Sequence, residues 1–143
     1  MSKVLLDTDI FSEILKEKCN PVTEKANRYY DKFGYYTISC FTVIEILKGS
    51  YKDNNSIRIN KILNNLNDWE ILELTKECWE ISARILAQLE KCGNNPGVFD
   101  VFIASIAIAN KLTVITGNTK HFETIKSICF KLGYILNLDN WRE

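Results

Sequence analysis

The sequence contains a single histidine, His121, and none of its serines carries the flanking glycines of a nucleophile elbow, so serine and cysteine nucleophile schemes find no footing. P-loop and dinucleotide fingerprints are absent. The five cysteines, Cys19, Cys40, Cys78, Cys92 and Cys129, are odd in number and scattered, and no Cys-x-x-Cys pair occurs. That usage points to reduced thiols in a cytosol, away from a disulfide framework or a zinc site. Neither sign of charge dominates, because 18 Lys and Arg balance 18 Asp and Glu. Without a global basic field, any contact with nucleic acid is expected to be local. The first residues, Met1-Ser2-Lys3-Val4-Leu5-Leu6-Asp7, meet an acid too soon for a signal peptide or a membrane span. A cytoplasmic protein with no membrane association is expected. No linker, low-complexity tract or internal repeat interrupts the 143 residues, 46% of them hydrophobic, so a single domain over 1–143 is expected.

The residues that are present alternate between two periodicities. Lys3–Leu6 is a β-type run, followed by three capping residues, Asp7-Thr8-Asp9, and the amphipathic Ile10-Phe11-x-x-Ile14-Leu15. Pro21 suits the first turn of a second helix running to about Lys32 and stopping at Gly34. Tyr35–Ser39 reads as a strand, Phe41–Leu47 as a helix closed by Gly49, and Ser56–Leu66 as another helix. Trp69–Leu74 alternates like a strand, Thr75 and Cys78 open a helix to Leu89, and Gly93-Asn94-Asn95-Pro96-Gly97 is a loop. Val98–Asn110 is a nearly continuous apolar helix, and Leu112–Thr116 is a strand ending at Gly117-Asn118. This order predicts an α/β fold with a mainly parallel central sheet and helices on both faces. In such sheets ligands bind at the carboxyl ends of strands, where Asp7 and Thr116-Gly117-Asn118 fall.

Three acids stand in apolar surroundings. Asp7 follows Val4-Leu5-Leu6 directly and is either a helix cap or a carboxylate at the sheet edge. Glu45, at about 100° per residue, shares a narrow polar stripe with Thr42 and Gly49, facing either solvent or a site. Asp100 is surrounded by Phe99, Val101, Phe102, Ile103 and Ile106, and shares a column with the small residues Ala104 and Ala107. A carboxylate in such a helix needs a partner, whether a cap, a salt bridge or a metal. Three carboxylates on separate elements, with no cysteine or histidine pair, form a hard oxygen site suited to Mg²⁺ or Mn²⁺. Such an ion lowers the pKa of water and stabilises charge on a phosphoryl oxygen.

The segments Leu5-Leu6-Asp7-Thr8-Asp9, Thr42-Val43-Ile44-Glu45-Ile46-Leu47-Lys48-Gly49, Asp100-Val101-Phe102-Ile103-Ala104 and Thr116-Gly117-Asn118-Thr119-Lys120-His121-Phe122 together resemble the four signature segments of PIN domains of the VapC group. The resemblance implies a Rossmann-like α/β/α sandwich with Asp7, Glu45 and Asp100 as ligands of Mg²⁺ or Mn²⁺. It further implies hydrolysis of single-stranded RNA by a metal-activated water, a small antitoxin partner that covers the site, and a homodimer. One departure stands out. No acid precedes Glu123 in the fourth segment, and His121 takes the place of the family's acid, with Asn118 as a neutral contributor. One well-occupied metal site is therefore expected, with His121 orienting water or substrate or serving only as a loop residue.

Two other readings compete. Asp7-Thr8-Asp9 after an apolar strand also resembles the first motif of haloacid-dehalogenase-type phosphatases, in which the first aspartate is a nucleophile. Phe11 stands where that motif has Thr or Val, and no lysine motif precedes a later acidic pair. The other is a PIN-like module that has lost catalysis and binds an antitoxin or protein partner, a reading that the missing fourth acid supports. Lys16, Lys18, Lys48 and Lys52 either line a groove for an RNA backbone or are ordinary solvated lysines. Tyr29, Tyr30, Tyr35 and Tyr36 either stack bases or pack between a helix and a strand.

Overall fold

The computed structural model describes residues 1–17, 20–94 and 96–143; Lys18, Cys19 and Asn95 lie outside the described residues. Strands and helices alternate as β1 (Val4–Leu6), α1 (Thr8–Leu15), α2 (Pro21–Phe33), β2 (Thr37–Ser39), α3 (Cys40–Lys52), α4 (Ser56–Asn64), β3 (Glu70–Leu72), α5 (Lys76–Lys91), α6 (Val98–Asn110), β4 (Thr113–Ile115), α7 (Thr119–Leu132) and β5 (Leu138–Asp139). A 3₁₀ turn at Leu66–Asp68 leads into β3. All strand pairs are parallel: β1 with β4, β4 with β5, and β2 with β3. Because β2 also lies against β1, the order across the molecule is 3-2-1-4-5. Parallel neighbours need long crossovers, which the helices supply.

Side-chain alternation along β1 divides the core. Leu5 enters one cluster with Val114, Ile85, Val101, Ile103 and Phe122. Val4 and Leu6 enter the other, with Phe11, Val22, Tyr29, Ile46 and Ile62. Helices α5, α6 and α7 therefore cover one face, and α1 to α4 the other, giving the three layers expected of strands that are apolar on both sides. Tyr29 serves this packing: it is fully buried, stacks on Tyr36, and its hydroxyl oxygen accepts the Val4 N–H at 3.3 Å, whereas Tyr30 is half exposed.

The helix bounds agree with the sequence pattern at α6, and at α2, which stops at Gly34 with φ 75°. They differ at α3, which runs through Gly49 to Lys52. Glycine lowers helix stability by only about 1 kcal/mol, and buried Ser50, one residue on, donates to the Ile46 carbonyl at 2.8 Å and holds the turn. The reversal comes instead at Asn54, with φ 51°. Helix α7 and strand β5 are additions to the predicted elements, built on Phe122, Ile125, Ile128 and Cys129, which all reach the core. Among the described residues no helix is long and apolar enough to cross a membrane.

One edge of the sheet gathers the chain's turning points. The Asp7 N–H donates to the Ile115 carbonyl at 2.9 Å, and the Thr116 N–H to the Asp139 carbonyl at 3.0 Å. Strand β2 ends at Ser39, whose hydroxyl accepts the Thr42 N–H at 3.2 Å and opens α3.

Candidate active site

Asp7 occupies the cap position of α1 by its backbone but makes no side-chain cap bond. Its carboxylate turns to the neighbouring strand end, where Thr116 Oγ1 donates to Oδ2 at 2.8 Å. The same Thr116 oxygen accepts the Asn118 N–H at 2.9 Å and so fixes the turn after β4. Asp7 is only 5% exposed. Burial pushes its carboxyl up to about 7, and the charge of Asp9 adds to that rise; the Thr116 and Thr8 hydrogen bonds oppose it without cancelling it.

Glu45 faces inward. Thr8 Oγ1 donates to Glu45 Oε1 at 2.8 Å and lies 3.0 Å from Thr42 Oγ1. Ser39 completes the line by donating to Thr42 Oγ1 at 3.5 Å. Thr42 and Glu45 are three residues apart on one helix face, so the polar stripe seen in the sequence is the stripe that looks into the site.

Asp100 stands in the first turn of α6, where the helix dipole favours an acid. Its side chain is 20% exposed and lies 3.3 Å from His121 Nδ1. Asn118 reaches the same Nδ1 at 3.0 Å. A single ring nitrogen donates to Asp100 or accepts from the Asn118 amide, so the proton position selects which bond forms. Burial raises the Asp100 carboxyl above the usual aspartate range; His121 counteracts that rise, and the charges of Glu45 and Asp9 add to it.

The structure thus brings Asp7, Glu45, Asp100, Asn118 and His121 to one sheet edge, and adds residues that the sequence marked only as capping or not at all. Asp9 Oδ2 accepts the Gly117 N–H at 3.0 Å, while Oδ1 accepts the Ile10 N–H at 2.8 Å. Arg142, near the end of the chain, places Nη1 3.5 Å from Asp9 Oδ2 and Nε 2.9 Å from Glu13 Oε2. A helical reading of Asp7, Thr8 and Asp9 as consecutive first-turn residues hints at Asp9; no local pattern signals Arg142.

Among the described residues, no three His, Cys, Asp or Glu side chains converge closely enough to hold a metal ion as they stand. Thr116, Thr8 and His121 each hold one oxygen of Asp7, Glu45 and Asp100 respectively. The donor chemistry nevertheless fits a hard divalent cation. Every donor is a carboxylate oxygen, and neighbouring acids add to the rise of the Asp7 and Asp100 carboxyls, a repulsion that a bound cation relieves.

Beside Thr8 and Glu45 opens a groove of about 430 Å³ between α1, α3 and α4, lined by Leu15, Lys16, Ile57, Arg58, Lys61 and Trp69 among others. Of the lysines marked in the sequence, Lys16 lines it, whereas Lys48 and Lys52 are exposed outside its wall.

Residues 4–127 match the family model of the PIN domain. The chain belongs to the PIN-domain family. This PIN domain is 29% identical over 133 residues to Ribonuclease VapC1 of Methanocaldococcus jannaschii, covering 92% of this chain and 87% of that protein. It is also 29% identical over 126 residues to the tRNA(fMet)-specific endonuclease VapC of Shigella flexneri, covering 87% of this chain and 93% of that one. Among solved structures, it superposes on a chain of the Rickettsia felis VapBC2 complex bound to a promoter DNA fragment with a TM-score of 0.78, at 24% identity and over 98% and 99% of the two chains. A chain of VapBC-1 from nontypeable Haemophilus influenzae gives the same TM-score at 21% identity, over 99% and 100% of the two chains. These superpositions show a shared fold over nearly all of the chain.

Proposed function

We propose that the protein is a Mg²⁺- or Mn²⁺-dependent endoribonuclease, the toxin of a toxin–antitoxin pair, acting in the cytoplasm as one PIN domain over residues 1–143. The observation that carries this reading is the assembly of Asp7, Glu45 and Asp100 from three separate elements at the carboxyl edge of a parallel sheet. The names of its relatives support RNA as the substrate, and those of structural neighbours described as toxin–antitoxin complexes support an antitoxin as the partner.

Asp7, Glu45 and Asp100 would hold the ion. When bound, a divalent cation supplies Lewis-acid chemistry, polarising a phosphoryl oxygen and lowering the pKa of water. The protein's own groups prepare the place. The line of hydroxyls from Ser39 through Thr42 and Thr8 fixes Glu45 Oε1, and Thr116 fixes Asp7 Oδ2. His121, 49% exposed at the mouth, and Asn118 are placed to orient the substrate or water. A polyanion meets strong repulsion at this acidic edge, which supports a cation as an obligatory participant. Exposed Phe130 and Ile135, 81% and 78% accessible, support a homodimer.

The catalytically silent alternative, a module that only binds an antitoxin or other protein, rests on one observation: His121 stands beside Asp100 where the family's acid is expected. One experiment separates the two. The purified protein, freed of any co-purified partner, is incubated with a panel of structured RNAs in Mg²⁺ or Mn²⁺, alongside Asp100→Asn and an EDTA control. Cleavage that disappears in both controls supports the ribonuclease. Intact RNA under every condition, with Mn²⁺ still bound, supports the binding module.

A further inference from the structure

The C-terminal segment returns to the acidic cluster along a fixed path. Strand β5 pairs with β4, and Trp141 is buried with its ring centroid 5.8 Å from that of Tyr29. Arg142 follows directly, its backbone N–H bonded to Asn140 Oδ1 at 3.0 Å. The guanidinium then bridges Asp9 and Glu13, with Nη1 3.5 Å from Asp9 Oδ2 and Nε 2.9 Å from Glu13 Oε2.

Gly117 lies beneath this bridge. A Cβ built there would fall 2.7 Å from Arg142 Cζ and 2.7 Å from Asp9 Oδ2, so the missing side chain is what lets guanidinium and carboxylate rest on the backbone. The Gly117 N–H in turn holds Asp9 Oδ2 at 3.0 Å. Asp9 is therefore gripped from two sides, by a backbone donor and by a permanently charged side chain.

Asp9 belongs to the cluster by geometry, because the adjacent residues Thr116 and Gly117 hold Asp7 Oδ2 at 2.8 Å and Asp9 Oδ2 at 3.0 Å. Carboxylates at this density draw in cations until their charge is balanced, and a guanidinium already in place reduces what remains to be balanced. Resting on the metal-dependent reading above, we propose that Arg142 is a positioning residue that serves as a built-in counter-cation to Asp9 and limits the acidic cluster to one divalent ion. Arg142 does not touch the ion or the substrate; it acts by fixing Asp9 and occupying its outer face.

Mn²⁺ titration of the full-length protein, followed by the electron paramagnetic resonance signal of free Mn²⁺, counts bound ions without any reading of activity. Wild type is expected to bind one ion and Arg142→Lys, which keeps the charge, also one. Arg142→Ala, which frees the outer face of Asp9 to stand in for the acid that the fourth segment lacks, is expected to bind two. Arg142→Gln, which keeps a polar side chain and loses the charge, is expected to bind two as well, and thermal melts check that each variant is folded. Two ions in wild type, or one ion in both Arg142→Ala and Arg142→Gln, overturns the inference while leaving the ribonuclease reading intact. No bound Mn²⁺ in wild type overturns the metal-dependent reading, and this inference with it.

Discussion

Thr116 Oγ1 donates a 2.8 Å hydrogen bond to Asp7 Oδ2 across a separation of 109 residues, joining the ends of β1 and β4 at the point where the acids gather. That bond favours the charged carboxylate, yet burial and the neighbouring Asp9 win, and the Asp7 carboxyl stands at about 7 instead of 3.8. The site is thus held in a costly electrostatic state, and each of its parts has a measurable consequence.

Because the folded Asp7 pKa is raised, the native state holds a proton that the unfolded chain has released between about pH 4 and about pH 7. Stability from this group is highest below the unfolded pKa and falls as pH rises through the folded one. Asp7→Asn removes the cost, which is on the order of a few kcal/mol. In metal-free buffer at pH 8 we expect the variant to melt several degrees above wild type, with the difference closing by pH 4. An equal offset at both pH values in differential scanning calorimetry would contradict the assignment.

Thr8 orients Glu45 through a 2.8 Å hydrogen bond and links it to Thr42 at 3.0 Å. Thr8→Val keeps the shape and removes the hydroxyl. A hydrogen bond to a charged group is worth about 1.5–3 kcal/mol, so kcat should fall by roughly tenfold or more while KM changes little. Steady-state kinetics on a short cleavable RNA would show the split; a rise in KM alone would place Thr8 in substrate binding.

His121, which the resemblance sets at the family's fourth acidic position, lies 3.3 Å from Asp100 Oδ2. His121→Asp adds a like charge beside Asp100, which we expect to tighten Mn²⁺ binding several-fold at pH 8. It should also push the Asp100 carboxyl higher, so that binding fails sooner on acidification. Isothermal titration across pH would reveal both, and weaker binding at pH 8 would argue against an acid-compatible position.

Leu5 is fully buried in the layer of α5, α6 and α7, whereas its neighbours Val4 and Leu6 face the other layer. Leu5→Ala should cost about 2–5 kcal/mol, read in urea unfolding. A cost under about 1 kcal/mol would mean that the core is not divided by β1 as described.

What the sequence reveals depends on how locally the cause acts. Val98–Asn110 is visible residue for residue because its apolar run is bounded at both ends by Gly97 and Lys111, which lie at positive φ. Asp7, Glu45 and Asp100 are visible because acids are rare in apolar surroundings. Gly49 misleads, since a stop signal yields to a neighbouring side-chain bond from Ser50. Asp9 passes for a cap because its partner, Gly117, is 108 residues away, and the Arg142 bridge to Glu13 spans 129 residues. Contacts at that distance leave no periodicity behind.

The most direct test of the central claim is the chemistry of the cut ends. On the proposed reading, a carboxylate site with one histidine, His121, directs water at phosphorus, and the sequence has no histidine pair to drive attack by the ribose 2′-hydroxyl. Cleavage of an end-labelled RNA in Mn²⁺ should leave no 2′,3′-cyclic phosphate, and a single 2′-deoxy substitution at the cut nucleotide should leave cleavage in place. Cyclic phosphate ends, or full protection by the deoxy substitution, would contradict a metal-directed hydrolysis.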